Sequence, residues 1–176
     1  SIDMWMSEVL VSGSSGDLSP PNVFLAENGS RYICWMNGLG EIHMGVLTSS
    51  GAFSDSIIDY VSTSQGITGC SVVVDETYRP LAIYADGANL SMARLALAGQ
   101  SYITDTWLTR TIIEDLHPES MTVRVTDEGT EFAVVRTTTG ELWQVNNSGV
   151  RWYHSLLDSG PVGDEFELKM DANGVA

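Results

Sequence analysis

Short apolar segments separated by polar turns run along the chain. In the middle of the sequence, residues 71–74, 80–84, 90–95 and 107–113 are rich in β-branched and aromatic side chains, which favour strands. Asn, Asp and Gly lie between these segments and supply the backbone angles that hairpin turns need. No 3.6-residue periodicity persists over the length of a helix. The pattern predicts four consecutive antiparallel strands and no long helix.

This pattern recurs, and its spacing can be measured between two landmarks. The first is an acidic residue that begins a turn, and the second is the aliphatic residue that opens the third strand. The landmark pairs are Glu27 and Ile42, Asp75 and Leu90, and Asp127 and Leu142. Each pair is 15 positions apart, and the acidic residues recur after 48 and then 52 positions. Repeats of roughly 40–50 residues with several short strands are typical of β-propeller blades.

The repeat predicts an all-β, propeller-like fold of about four four-stranded antiparallel blades. Complete blades are predicted at 21–68, 69–119 and 120–160, and part-blades at 1–20 and 161–176. Two arrangements are open. Either the two part-blades meet and close a small ring, or the chain belongs to a larger ring and its open ends pair with further blades from the same or another chain. A blade made jointly by the two part-blades would lack its second strand and would close the ring poorly, which favours the larger ring.

The middle repeat resembles a known family. Its segments Val-Val-Asp at 73–75, Arg-Pro-Leu-Ala-Ile-Tyr at 79–84, Asp-Gly at 86–87 and Leu-Ser-Met-Ala-Arg at 90–94 are similar to divergent extracellular bacterial and archaeal blade repeats of the β-propeller superfamily. The Trp-Asp signature of WD40 blades and a clear Asp-box are both absent. The resemblance implies a fold rather than a chemistry, and it carries over no catalytic residue.

Charge narrows the range of partners. The chain has 23 acidic and 8 basic residues and a net charge of −15, so we expect it to repel nucleic acids and anionic membranes. No apolar run approaches the roughly 20 residues that span a bilayer. Without a basic n-region followed by an apolar stretch, we expect no targeting segment in this sequence. The acidity either serves solubility or attracts cations, of which calcium is the candidate cofactor.

Cysteines and sequons bear on the compartment. Cys34 and Cys70 match no metal motif and are either buried thiols or a disulfide between neighbouring repeats, which would imply an oxidising compartment. Asn28, Asn89 and Asn146 begin Asn-X-Ser sequons that permit glycosylation. The predicted location is extracellular, or the surface of a cell or virion.

The richest candidate for chemistry is the linker after the second repeat. Glu114, Asp115, His117 and Glu119 place three carboxylates and an imidazole within six residues, a set that can hold a cation or supply acid and base groups. The alternative is a solvated loop. Asp86 lies in a turn expected on the same face of the propeller.

Aromatic and histidine residues supply weaker candidates. The chain has five tryptophans: Trp5, Trp35, Trp107, Trp143 and Trp152. Most are expected between blades, whereas an exposed one, with Trp35 and Trp143 as the candidates, would stack on a sugar ring. His43 reads as a structural histidine within a strand, and His154 has no partner at a recognisable spacing.

Three functions of different classes remain. The first is a non-enzymatic recognition or scaffold module that binds protein or glycan through the propeller face. The second is a fragment of a secreted propeller enzyme that acts on polysaccharide, as a glycoside hydrolase or lyase. A purely structural repeat array is the third possibility. Fold by itself does not choose among them.

Overall fold

The computed structural model describes residues 19–62, 69–96, 107–126, 129–147, 149 and 151–163, and their strands form three four-stranded antiparallel sheets. Sheet 1 contains β1 (Asn22–Leu25), β2 (Arg31–Met36), β3 (Glu41–Leu47) and β4 (Phe53–Tyr60). Sheet 2 contains β5 (Cys70–Val74), β6 (Pro80–Asp86), β7 (Asn89–Leu95) and β8 (Trp107–Ile113). Sheet 3 contains β9 (Pro118–Val125), β10 (Glu131–Thr137), β11 (Leu142–Asn147) and β12 (Trp152–Asp158). The described residues contain no helix, so the all-β, propeller-like prediction is confirmed.

Each sheet is a meander in which every strand pairs with the next along the chain. The strand bounds fall within the predicted ranges 21–68, 69–119 and 120–160, except that β9 begins at Pro118. The strand-like segment 1–6 with Trp5, the acidic turn at 171–174, and both predicted part-blades apart from 19–20 and 161–163 lie outside the described residues.

The first strand of each sheet lies innermost. β5 is buried along its whole length and packs against β1 and β2 on one side and β9 on the other. The last strands, β4, β8 and β12, are mostly exposed. Sheet 2 therefore lies between sheets 1 and 3, and its buried first strand contacts both. This arrangement is typical of consecutive propeller blades.

Two apolar cores separate the three sheets, because alternate side chains of each strand point to opposite faces. The core between sheets 1 and 2 includes Tyr32, Met44, Val72, Ala82 and Tyr84. The core between sheets 2 and 3 includes Val73, Ile83, Leu90, Val123 and Val135. Burying each of the larger aliphatic side chains stabilises the fold by about 1.5–3 kcal/mol.

Polar links also join the inner strands. The Asn22 Oδ1 atom accepts a hydrogen bond of 2.9 Å from the Val72 N–H, and the Ser71 Oγ atom accepts one of 3.1 Å from the Val123 N–H. Ser71 is fully buried, so these bonds satisfy groups that water cannot reach. They fix the positions of β1, β5 and β9 relative to one another.

A disulfide joins Cys34 of β2 to Cys70 of β5, so it connects sheets 1 and 2. The two Cα atoms are 6.0 Å apart, and both residues are buried. The bond closes a loop of 36 residues, for which the restriction of the unfolded chain corresponds to about 3–4 kcal/mol of stabilisation.

The turn hydrogen bonds correct the predicted repeat register. The N–H of Ala26, Asp75 and Thr126 donates to the carbonyl four residues on, at 2.9, 3.1 and 2.8 Å, so these three residues are equivalent. The sequence landmarks Glu27 and Asp127 each follow the equivalent residue, Ala26 or Thr126, by one position in the sequence. Ile42, Leu90 and Leu142 do occupy equivalent places, since they pair with Met36, Ala85 and Arg136.

The equal spacing of 15 was therefore wrong as a measure of the repeat. Between the paired residues the β6–β7 connection is one residue shorter than the β2–β3 and β10–β11 connections. The correction matters because a shift of one residue moves a side chain to the opposite face of a sheet.

Candidate functional site

The acidic linker is tied down by its backbone. The His117 N–H donates to the Ala88 carbonyl at 2.7 Å, and the His117 carbonyl accepts from the Thr138 N–H at 2.9 Å. The Asp115 N–H donates to Asn89 Oδ1 at 3.2 Å. Asp115 and His117 have positive φ values of 56° and 52°. The linker thus joins the turns of sheets 2 and 3 that lie beside it.

Its side chains do not converge on a common point. Glu114, Asp115, His117 and Glu119 are all exposed, and Glu119 forms an ion pair with Arg136. Within the part of the chain that the structure describes, no group of three His, Cys, Asp or Glu side chains is placed to hold a metal ion. Calcium binding therefore stays a prediction without a located site. Asp86 ends β6, half-buried opposite Asn89.

Neither candidate tryptophan forms an open platform. Trp35 is 4% exposed and stacks on His43, with the ring centroids 4.9 Å apart. Trp143 is half-buried against His154, and its Nε1 donates to Glu141 Oε2 at 3.2 Å. Both residues contribute to the packing of their own sheets.

His43 lies in a polar cluster on the face of sheet 1 that points away from sheet 2. Its Nδ1 is 3.2 Å from both carboxylate oxygens of Asp55, and its Nε2 is 3.5 Å from Glu41 Oε2. Asn37 Nδ2 donates to Glu41 Oε2 at 2.5 Å. The cluster links β3 and β4 to Asn37, the residue that follows β2, which fits the structural role expected for His43.

The predicted glycosylation sites differ in exposure. Asn28 is exposed in the β1–β2 turn, where its Oδ1 accepts from the Ser30 N–H at 2.9 Å. Asn89 and Asn146 are half-buried at the start of β7 and within β11. Asn28 is thus the sequon residue with the most open surroundings.

Two concave sites open at the other end of the sheets, where β1, β5 and β9 finish. The first, which we call the sheet 1–2 groove, has a volume of about 340 Å³. It is lined by three aromatic residues, two serines and four apolar residues: Tyr32, Tyr78 and Trp107; Ser54 and Ser56; and Met44, Val46, Pro80 and Leu95. Asp55 also borders it. Ser54 and Ser56 pair with Val46 and Met44, so their side chains share the face that looks towards sheet 2.

The second site, the inner pocket, lies beside the groove and has a volume of about 280 Å³. Leu25, Val74 and Val125, the equivalent last residues of the three inner strands, line it together. Glu27 and Glu76 border it as well. Tyr78 lines both sites and therefore lies where they meet.

Tyr78 has an unusual backbone. Its φ is 59°, in the left-handed region that a bulky side chain rarely adopts, and the residue is 45% exposed. Its N–H donates to the Asp75 carbonyl at 2.9 Å, just as the N–H groups of Gly29 and Gly129 donate to Ala26 and Thr126. Sheet 2 therefore has a tyrosine where sheets 1 and 3 have glycine.

Asp75 holds this turn in place. Its Oδ1 accepts from the Thr77 N–H at 2.9 Å, the Thr77 hydroxyl at 2.6 Å and the Arg79 N–H at 3.0 Å, and its Oδ2 accepts from Arg79 Nε at 3.1 Å. Burial by itself raises the pKa of Asp75, but the hydrogen bonds from Thr77 and Arg79 outweigh burial and lower it. The ionised carboxylate thus fixes the residues on both sides of Tyr78.

Tyr78 affects the ionisation of Tyr32, the second tyrosine of the groove. Burial raises the pKa of the Tyr32 phenol, and the nearby Tyr78 phenol raises it further. The Tyr32 phenol therefore remains protonated at neutral pH and can donate as well as accept a hydrogen bond.

The groove residues were not among the candidates drawn from the sequence. Tyr32, Ser54, Tyr78 and Trp107 belong to four separate segments, and only the packing of sheet 1 against sheet 2 brings them together. One signal was available in the sequence. Alignment of the turns on Gly29 and Gly129 would have shown Tyr78 in place of a glycine.

Comparison with known proteins supports the fold alone. No protein-family model matches the chain, and no curated protein matches it. Among solved structures it is similar to a protein of unknown function from Dyadobacter fermentans, with a TM-score of 0.58 and 13% sequence identity. The match covers 83% of this chain and 53% of the other, so this chain spans about half the length of that protein. Among the described residues, no helix is long and apolar enough to cross a membrane.

Proposed function

We propose that this protein is a non-enzymatic recognition module that binds a glycan in the sheet 1–2 groove. The observation that carries the proposal is Tyr78, a partly exposed ring at a left-handed position that the equivalent turns fill with glycine. Strained backbone of this kind costs about 1–3 kcal/mol and clusters at ligand sites. A glycine would avoid the strain, so the side chain has a use of its own.

The lining of the groove suits a sugar. Pyranose rings present apolar C–H faces that stack on aromatic rings, and the groove offers Tyr32, Tyr78 and Trp107. Sugar hydroxyls need partners that both donate and accept, and the hydroxyls of Ser54 and Ser56 supply them. A volume of about 340 Å³ lies in the range of small-ligand sites, which favours a glycan over a folded protein as the occupant.

Rigid links join the two sheets that form the groove. The Cys34–Cys70 disulfide joins the two sheets at their inner strands, and the Tyr84 hydroxyl donates to Asp59 across the same interface. Burial and the Asp59 carboxylate both raise the pKa of Tyr84, so this phenol keeps its proton. Walls fixed in advance lower the entropy lost when a ligand binds. The disulfide also favours the extracellular location within this proposal, since such bonds persist in oxidising compartments.

The proposal includes membership of the β-propeller superfamily, with further blades completing the ring. Val23 and Leu25 of β1 are 56% and 65% exposed, whereas the equivalent Val72 and Val74 of β5 are 1% and 7% exposed against sheet 1. This contrast favours another blade on the open face of β1. A crystal structure would test the idea: a fourth sheet packed on Val23 and Leu25 is expected, and free solvent over both would contradict it.

Glycan binding is tested by oligosaccharide microarray, followed by titration calorimetry of the best ligand. The variant Tyr78→Gly removes the ring and relieves the backbone, so we expect it to bind at least ~10-fold more weakly while remaining folded. The matched control is Tyr153→Ala, which removes a 51% exposed tyrosine from β12, far from the groove, and should bind like the wild type. Failure of every oligosaccharide to bind, or full binding by Tyr78→Gly, would refute the proposal.

A further inference from the structure

We infer that the sheet 1–2 groove selects an uncharged glycan over an acidic one. The inference rests on the proposed function and adds the chemical class of the ligand. It depends on which polar groups face the groove and on which charged groups are already engaged elsewhere.

Apart from the Trp107 indole and Asp55, the polar side chains among the described residues that line the groove carry hydroxyls. Ser54 and Ser56 face it from β4, and the phenols of Tyr32 and Tyr78 face it from the turn end of the two sheets. Hydroxyls pair equally well with the donors and the acceptors of a neutral sugar. They do not compensate the charge of a carboxylate or sulfate as a guanidinium does.

Asp55 borders the groove, but its carboxylate is turned away. Side chains alternate along β4, so Asp55 points to the face opposite that of Ser54 and Ser56. There both of its carboxylate oxygens lie 3.2 Å from His43 Nδ1. Among the described residues that line the groove, none therefore presents a free carboxylate to it, and an amino sugar gains no ion pair from them.

The described residues near the groove offer an acidic sugar no cation that is both free and directed into the groove. Arg31 precedes the lining residue Tyr32 but points to the opposite face of sheet 1, because side chains alternate along β2. The described residues that line the groove include no Lys or Arg. Arg79 and Arg94 flank the lining residues Pro80 and Leu95 in sequence, but Arg79 pairs with Asp75 and Arg94 pairs with Glu131. The net charge of −15 further opposes an anionic ligand. An uncharged chain avoids each of these penalties.

The experiment compares neutral and acidic oligosaccharides by calorimetry. Cellohexaose, laminarihexaose and mannohexaose are the neutral probes, and hexagalacturonate is the acidic one. We expect at least one neutral probe to bind at least ~10-fold more tightly than hexagalacturonate, with little dependence on salt. The double variant Ser54→Ala/Ser56→Ala removes two hydroxyls from the groove and should weaken the binding of neutral probes ~10-fold. Both residues are exposed, so the variant should keep its core intact and remain folded. Ser155→Ala in exposed β12 is the matched control and should bind like the wild type.

The outcomes separate the two proposals. Tyr78-dependent binding of hexagalacturonate as tight as that of the neutral probes would overturn the inference and leave glycan recognition standing. Neutral binding that the serine double variant leaves unchanged would also overturn it, because the hydroxyls would then play no part. Binding of none of the four probes, together with an empty microarray, would overturn both.

Discussion

Tyr78 in sheet 2 occupies the turn position that Gly29 occupies in sheet 1. Each residue donates its N–H over 2.9 Å to the carbonyl three positions earlier, and the φ values are 59° and 80°. The same backbone thus carries a large ring in one sheet and no side chain in the other. The ring lies between the sheet 1–2 groove and the inner pocket, so the difference falls where a ligand would contact the protein.

Replacement of Tyr78 by glycine should separate stability from binding. Relief of the left-handed backbone is expected to raise the free energy of unfolding by about 1 kcal/mol, while glycan affinity falls. Urea denaturation monitored by circular dichroism measures the first effect. Gly29→Ala is the matched opposite change, because it adds a Cβ at φ 80° with Ser49 3.4 Å away, and it should lower stability by about 1 kcal/mol. A Tyr78→Gly variant less stable than the wild type would show that the ring has a packing role instead.

Asp75→Asn should loosen the turn and remove a pH dependence. The folded-state pKa of Asp75 lies below the usual Asp value of about 3.9, so its contribution is present above that value and is lost as pH falls through the folded pKa. The variant loses the ion pair with Arg79 and is expected to be about 1 kcal/mol less stable at pH 7. Denaturation from pH 7 down to pH 2 should show the two proteins converging in acid. A constant difference across that range would contradict the role of the carboxylate.

Local patterns predicted much of the fold. In sheet 2, the expected strands at 71–74 and 107–113 agree with β5 (Cys70–Val74) and β8 (Trp107–Ile113) to within a residue. Runs of β-branched residues bounded by turn formers determine such segments without long-range contacts. The register of the repeats was harder to predict from the sequence. The match of Glu27 with Asp75 followed residue type, whereas backbone hydrogen bonding makes Ala26 the equivalent residue.

The candidate site was beyond local patterns. Ser54 and Trp107 lie far apart in the sequence and come to line the same groove only when sheet 1 packs against sheet 2. The linker 114–119 attracted attention because its charges are adjacent in sequence. Its backbone angles and exposure keep those charges from converging, which spacing alone does not reveal.

Loss of the Cys34–Cys70 disulfide should destabilise the pair of sheets that forms the groove. The double variant Cys34→Ala/Cys70→Ala, or the wild type in reductant, is expected to lose about 3–4 kcal/mol of unfolding free energy, since the unfolded chain regains the freedom of a 36-residue loop. Urea denaturation with and without dithiothreitol measures the loss. The double variant is its own control, because reductant should leave it unchanged. Coincident curves for oxidised and reduced wild type would contradict the prediction.

The ion pair between Arg94 of β7 and Glu131 of β10 should contribute to the interface of sheets 2 and 3 through its buried carboxylate. Glu131 is 5% exposed, and Asn147 Nδ2 also donates to it at 2.7 Å. Arg94→Met removes the cation and leaves a buried charge without its partner, so we expect a loss of about 3 kcal/mol. Glu131→Gln in that background removes the stranded charge and should restore part of the loss, which a double-mutant cycle in urea measures. Equal stability of Arg94→Met and the wild type would mean that water, rather than Arg94, compensates Glu131.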